Sequence, residues 1–196
     1  MPNSITDQYL KGLQERLSEA DVQQLSYASG ATEEQITALK TRYPECPASL
    51  IQLLQKFNGT YWQEYGQHTV AVLMLGSDVD RYPYYLKSAD QMLDNNEYNE
   101  SICERYGISK EGDTDLVGIG IDPTIKIDNW LCFSDCTNNG GTSKLYIDFN
   151  PAANGRSGQV VRFLHDPDNY TVIAGSFDEY LQLLINKHYD FIGVKC

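Results

Sequence analysis

Cys132 and Cys136 have three residues between them, a spacing at which two thiolates can reach one zinc ion. No second Cys/His pair lies near them, and a strand running into a turn would bury Cys132, so the pair reads as core and turn rather than metal site. His68, His165 and His188 have no spacing that suggests joint ligation. His165 with Asp148 and a distant serine would make a hydrolase triad, but nothing in the chain selects the serine. Asp122, Asp135, Asp148, Asp166 and Asp168 would hold a hard cation only if they converged. They read instead as turn residues and one polar sheet face. Gly140-Gly141, Gly155 and Gly158 lack the strand–glycine–helix context and the lysine of a nucleotide loop, so they are turn glycines. The expectation is a protein without catalytic residues, cofactor or metal, whose function lies in what its surface binds.

Charge and aromatic content bear on that surface. The 196 residues include 27 acidic and 15 basic side chains, a net charge of −12. Such a surface repels phosphates and attracts a basic protein, so nucleic acid is not the expected partner. Seven acids between Asp94 and Asp115 (Asp94, Glu97, Glu100, Glu104, Glu111, Asp113 and Asp115) face only Arg105 and Lys110, a local net of −5. Fourteen tyrosines is a high number for this length, and Tyr61, Trp62, Tyr65, Tyr82, Tyr84 and Tyr85 flank the apolar run Val70 to Leu75. Exposed aromatic rings give contact area at small entropy cost, which suits protein recognition. The expected contact residues are these six aromatics with Asp94, Glu97, Glu100 and Glu104.

The elements that must position them follow from periodicity and punctuation. Ile5, Tyr9, Leu13 and Leu17 predict a helix from Ser4 to about Leu25, weakened at Gly12 and open to a restart at Ser18 to Asp21. Thr32 and Gln35 form a capping box for a helix that Pro44 stops, and Pro47 starts another that Asn58-Gly59 closes. Val70 to Leu75 reads as a strand, and the stretch after it as a turn-rich loop. Ser88 with Gln91 caps a further helix, with Met92 and Leu93 buried behind it. Leu116 to Ile121 reads as a strand with Val117, Ile119 and Ile121 on one face. Strands follow at 130–133, 145–149, 160–164 and 170–174, the last pair joined by the turn Asp166-Pro167-Asp168-Asn169. In the second of these, Leu145, Ile147 and Phe149 face one way, leaving Tyr146 and Asp148 on a polar face. Ser176 and Glu179 cap a final helix. The order predicts an α+β fold with a central, mostly antiparallel sheet. No apolar run spans a bilayer and the N-terminus has neither a basic leader nor an apolar core, so the expected location is the cytoplasm. The five cysteines are then expected as free thiols.

Four stretches, in order, resemble the SMI1/KNR4 (SUKH) superfamily. Ala31 to Gly59 is similar to the family's opening, two helices around a proline ending in Phe57-Asn58-Gly59. Trp130 resembles its strand tryptophan. Leu145 to Val161 carries a strand aspartate (Asp148), a proline (Pro151), a glycine (Gly155) and the triplet Gly158-Gln159-Val160. Ala174 to Leu181 resembles its closing helix start, with Ser176 and Phe177. The resemblance implies an SMI1/KNR4-like domain over 31–196 behind a helical extension at 1–30, and a non-enzymatic role. Bacterial members resemble immunity proteins that neutralise a cognate toxin, commonly a nuclease; eukaryotic relatives act as scaffolds or regulators. The compact chain favours the immunity reading, with a basic toxin domain as partner. The alternative is an intracellular scaffold or regulator that binds an endogenous protein.

Overall fold

The computed structural model describes residues 4–94, 99–110, 115–136 and 143–193. Its centre is a six-stranded antiparallel sheet whose strands follow one another in chain order: β3 (Leu73–Leu75), β4 (Tyr84–Leu86), β5 (Leu131–Cys136), β6 (Ser143–Asp148), β7 (Gln159–Leu164) and β8 (Asn169–Ala174). A separate ribbon pairs β1 (Gln63–Tyr65) with β2 (His68–Val70). The helices α1 (Ile5–Gln14), α2 (Glu19–Leu25), α3 (Glu33–Arg42) and α4 (Ala48–Lys56) precede the sheet, and α7 (Phe177–Asn186) follows it. Between β4 and β5 lie α5 (Ala89–Leu93), α6 (Ile102–Tyr106) and a 3-10 turn at Ile127–Asn129.

One sheet face carries Leu131, Phe133, Leu145, Ile147 and Val160 into the main core, against Leu13, Leu50, Leu54, Phe177 and Tyr180 of the helices. The opposite face is buried as well. Cys132, Tyr146, Val161, Phe163 and Tyr170 pack under Ile102, Leu116, Ile121, Ile127 and Trp130. This corrects the expectation of an open polar face on β6, where every residue from Ser143 to Asp148 is buried. Tyr146 supplies enough apolar ring to be core on its side. It meets Trp130 edge-on at 5.7 Å, and Tyr170 closes on the same indole at 6.2 Å.

Asp148 locks the covering segment to the sheet. Its carboxylate accepts the Asn150 N–H at 2.8 Å and the Gln159 side-chain amide at 2.9 Å. The same amide nitrogen donates to the Gly120 carbonyl at 2.9 Å, so one side chain joins β6, β7 and the covering chain. Gly155 passes so close that an added Cβ would stand 2.3 Å from the Gly120 oxygen. Burial holds the Asp148 pKa above the ordinary carboxylate range, even though these hydrogen bonds favour the ionised form and Trp130 assists it.

Local punctuation explains the remaining differences. The first helix breaks, and Ser4 and Ser18 cap α1 and α2 in the same way. The run 70–75 divides between two sheets because Ala71 gives its N–H to the Gln24 side chain. Tyr84 to Leu86, read as loop, pairs with β3 and β5. Residues 116–121 do not form a strand: Leu116 and Gly118 bond Tyr170 at 2.7 and 2.8 Å, and the chain turns away at Gly120. Ile119 is therefore left 85% exposed while Ile121 is buried. Within the 1–30 segment, α1 lies in the main core. Thr6 donates to the Ser49 carbonyl at 3.0 Å, Tyr9 donates to the Met74 carbonyl, and Tyr189 donates to the Tyr9 carbonyl at 3.0 Å.

Two substitutions test this packing. Leu13→Ala should lower unfolding stability by about 3 kcal/mol in urea denaturation, as a buried leucine of the main core rather than of an appendage. Gly155→Ala should cost about 2 kcal/mol or more, because backbone rather than a movable side chain blocks the new methyl group.

Candidate protein-binding surface

The aromatic group at 61–85 is assembled by the end of α4. Asn58 is buried; its amide donates to Gln35 at 3.1 Å and its oxygen accepts the Ala89 N–H at 2.9 Å, fastening α3, α4 and α5 together. Gly59 follows at φ +92, where a side chain would be strained and a Cβ would stand 2.5 Å from the Ser88 nitrogen. Thr60 and Tyr61 then give their N–H groups to the Leu86 carbonyl at 2.7 and 3.0 Å. Gln91 donates to the Tyr61 carbonyl at 2.9 Å, and the Tyr65 hydroxyl to the Gly59 carbonyl at 2.9 Å. The backbone around Trp62 is thus pinned on both sides.

Trp62 itself has φ +49, an unfavourable conformation for a bulky residue, and its side chain is 60% exposed. A strained backbone that presents an indole to solvent makes Trp62 a candidate contact residue. Tyr85 lies beside it, with ring centroids 6.5 Å from Trp62 and 5.7 Å from Tyr61. These three rings come together. The other expected aromatics do not join them. Tyr65 packs toward Leu25, Val70 and Val72 under the ribbon. Tyr82 is half-buried against Tyr84 at 5.4 Å. Tyr84 is fully buried, hydrogen-bonded to Ser143 at 2.8 Å, and so is a core residue rather than a contact.

Near Tyr61 and Tyr85 lies a buried charged group of which the sequence marked only Asp135. Asp135 is opposite Tyr85 in the ladder, and Lys144 is opposite Asp135. Lys144 and Asp135 approach to 3.7 Å. Lys87 donates to the Cys132 thiol at 3.8 Å, and its charge acts on both Asp135 and Tyr61. Burial pushes the Asp135 carboxyl up to about 6, with Lys87 pulling the other way. Burial, reinforced by Lys87, brings the Lys144 ammonium down to about 8. The Tyr61 phenol is raised mainly by burial and then by Asp135.

The acidic stretch is not one patch among the described residues. Asp94 is the exposed C-cap of α5. Glu100 is half-buried, its carbonyl accepting the Ile127 N–H. Glu104 completes a capping box with Ser101, taking its N–H at 2.7 Å, which lowers the carboxyl pKa. That box builds α6, a helix not expected there, although Ser101 and Glu104 carried its signature. Glu97, Glu111, Asp113, Gly140 and Gly141 lie outside the described residues.

The chemistry considered for other residues does not assemble. His165 pairs with Asp168 at 2.6 Å, not with Asp148, and Tyr106 donates to the same carboxylate. Cys132 and Cys136 belong to clusters on opposite sheet faces, and the four described cysteines are free. Asp122 closes a turn onto Thr124. Among the described residues no three His, Cys, Asp or Glu side chains are grouped to hold a metal ion. No helix there is long and apolar enough to cross a membrane. The remaining motif residues are architectural in their contacts: Gly158 turns the chain at φ +84, Pro151 packs against Gly155, Ser176 caps α7, and Phe177 meets Phe133 edge-on at 5.3 Å.

The raised Asp135 pKa makes a prediction with a definite sign. Between about pH 4 and 6 the unfolded chain ionises this carboxyl while the folded chain keeps it protonated, so stability falls as pH rises through that window. The loss attributable to Asp135 should be up to about 3 kcal/mol, and it should vanish from the pH dependence of Asp135→Asn relative to the parent. Urea unfolding across that range measures it.

No curated protein matches the chain closely enough to count as a relative. The family model described as SMI1 / KNR4 family (SUKH-1) matches residues 30–183, from just before α3 through the Asn58-Gly59 turn and the Asp148–Gln159 lock into α7. The family is known for immunity-protein-like members. With most of its length matched, the chain belongs to the SMI1/KNR4 (SUKH-1) family.

Proposed function

We propose that this protein is a cytoplasmic immunity protein that binds and neutralises a cognate bacterial toxin, a basic nuclease-type domain, through Tyr61, Trp62 and Tyr85. The observation that carries the reading is Trp62, exposed on a backbone held by its neighbours. A rigid aromatic anchor loses little entropy on binding, so it can supply most of the affinity of an interface. The net charge of −12 would speed encounter with a basic domain while contributing less to the final complex. The function needs no catalytic group, because a tightly bound protein blocks a cleft or locks a domain by contact alone.

The direct test is co-expression with the toxin domain encoded by the adjacent gene, scored by rescue of growth and by copurification. Trp62→Ala should weaken the complex at least ~30-fold, in line with a hot-spot loss of 2 kcal/mol or more, with the fold unchanged. Raising salt should slow association more than it speeds dissociation. Rescue that is indifferent to Trp62→Ala would remove this surface from the account. An isolated gene whose product copurifies with a housekeeping protein would favour the scaffold reading instead.

A further inference from the structure

The end of α3 opens onto a cavity of about 210 Å³, built from three separate segments. Arg42, Tyr43, Pro44 and Glu45 line it from the helix end, Asn129 from the 3-10 turn, and Phe149 with Asn150 from the chain after β6. Arg42 closes α3, and Glu45 lies beyond the proline that stops the helix. The i, i+3 approach of a continuous helix is therefore not open to this pair of opposite charges. Each is held by a neutral group instead. The Arg42 guanidinium donates to the Asp128 carbonyl at 2.9 Å and lies 5.1 Å from the centre of the Tyr43 ring. The Glu45 carboxylate accepts the Ser157 hydroxyl at 2.9 Å. Among the described residues neither charge has an ion-pair partner, and the guanidinium keeps N–H donors to spare. The side-chain amides of Asn129 and Asn150 have no hydrogen-bond partner there either. Tyr43 and Phe149, ring centres 6.0 Å apart, give the cavity its apolar wall.

We infer that this cavity binds a small apolar α-amino acid as its zwitterion, Arg42 taking the carboxylate and Glu45 the ammonium. A guanidinium fork matches a carboxylate, and an ammonium has donors enough for Glu45 and an amide oxygen. The lining carries one charge of each sign, so an ion of either sign alone is attracted by one residue and repelled by the other. A zwitterion meets both. The volume lies below the roughly 300–1,000 Å³ of pockets for drug-sized ligands, too small for a nucleotide or a large cofactor. The apolar side chain packs on Tyr43, Pro44 and Phe149. Bound in this way, the amino acid bridges the end of α3 to the 3-10 turn and to the chain after β6. The site shares no residue with the proposed toxin-binding surface, so it goes beyond that reading and stands or falls apart from it.

The probe is L-leucine, titrated into the full chain at neutral pH, with the side-chain amide resonances of Asn129 and Asn150 followed by NMR. Two analogues keep the branched body with one charge each: 4-methylpentanoate lacks the ammonium and 3-methylbutylamine lacks the carboxylate. Leucine should give saturable shifts at millimolar concentration and bind at least ~10-fold more tightly than either analogue, the loss expected for one charge-assisted hydrogen bond. Arg42→Met and Glu45→Gln should each weaken leucine by a similar factor, while Glu64→Gln on the exposed ribbon should leave its affinity unchanged. Absence of saturable shifts in the parent, an analogue that binds as well as leucine, or undiminished binding to Glu45→Gln would overturn the inference. Both altered side chains are exposed, and a spectrum as dispersed as the parent's shows that lost binding is not lost fold. If Arg42→Met fails that check because the Asp128 carbonyl loses its donor, Glu45→Gln decides the matter alone.

Discussion

A carboxylate buried at the end of β6 is the point on which both halves of the molecule depend. Asp148 is inaccessible to solvent, yet it is held by the Asn150 N–H and by Gln159, whose amide also reaches the Gly120 carbonyl. Burial of a charge is tolerated when its hydrogen bonds are complete. Here completing them fixes the turn after β6, the start of β7 and the path of the segment that roofs the second sheet face. Without that roof, Tyr146, Val161, Phe163 and Tyr170 would face water. The family's recurring residues thus build a two-sided sheet before they build any site.

The surface is assembled by a second fastening, on the other side of the chain. Asn58 joins three helices, Gly59 lets the chain pass under Ser88, and Thr60 anchors on Leu86. The three rings therefore stand on a backbone with little freedom, over charges that lie among buried groups. Rigid, exposed aromatic area suits the centre of the proposed interface. In the proposed interface long-range charge and short-range contact are separate: the first belongs to the acidic chain as a whole, the second to Tyr61, Trp62 and Tyr85.

Much of this was legible in the residues, and the reason for the remainder is physical. The capping boxes at Thr32/Gln35 and Ser88/Gln91 are local chemistry, and both helices form where the boxes place them. Ser101/Glu104 has the same signature, but it is embedded in an acidic run where Glu104 is one carboxylate among seven. The second core was not legible, because its cover combines a five-residue helix, a 3-10 turn and irregular chain, and its apolar residues (Ile102, Leu116, Ile121 and Ile127) share no single period. Alternation along β6 suggested a wet face; the roof made it dry. The aromatic cluster was half legible. Composition pointed to Tyr61, Trp62 and Tyr85, but only the fold separates them from Tyr84 in the core. Lys87 between a strand and a helix cap gives no sequence signal, since its burial depends on β5 and β6 arriving beneath it.

The most direct measurement is amide hydrogen exchange of the complex with its partner, compared with the free protein. Slowed exchange at residues 60–64 and 85–87, with the Asp148 to Gln159 turn unchanged, is the result this account predicts. Protection confined to residues 99–110 or 149–159, with 60–64 exchanging as in the free protein, would contradict it.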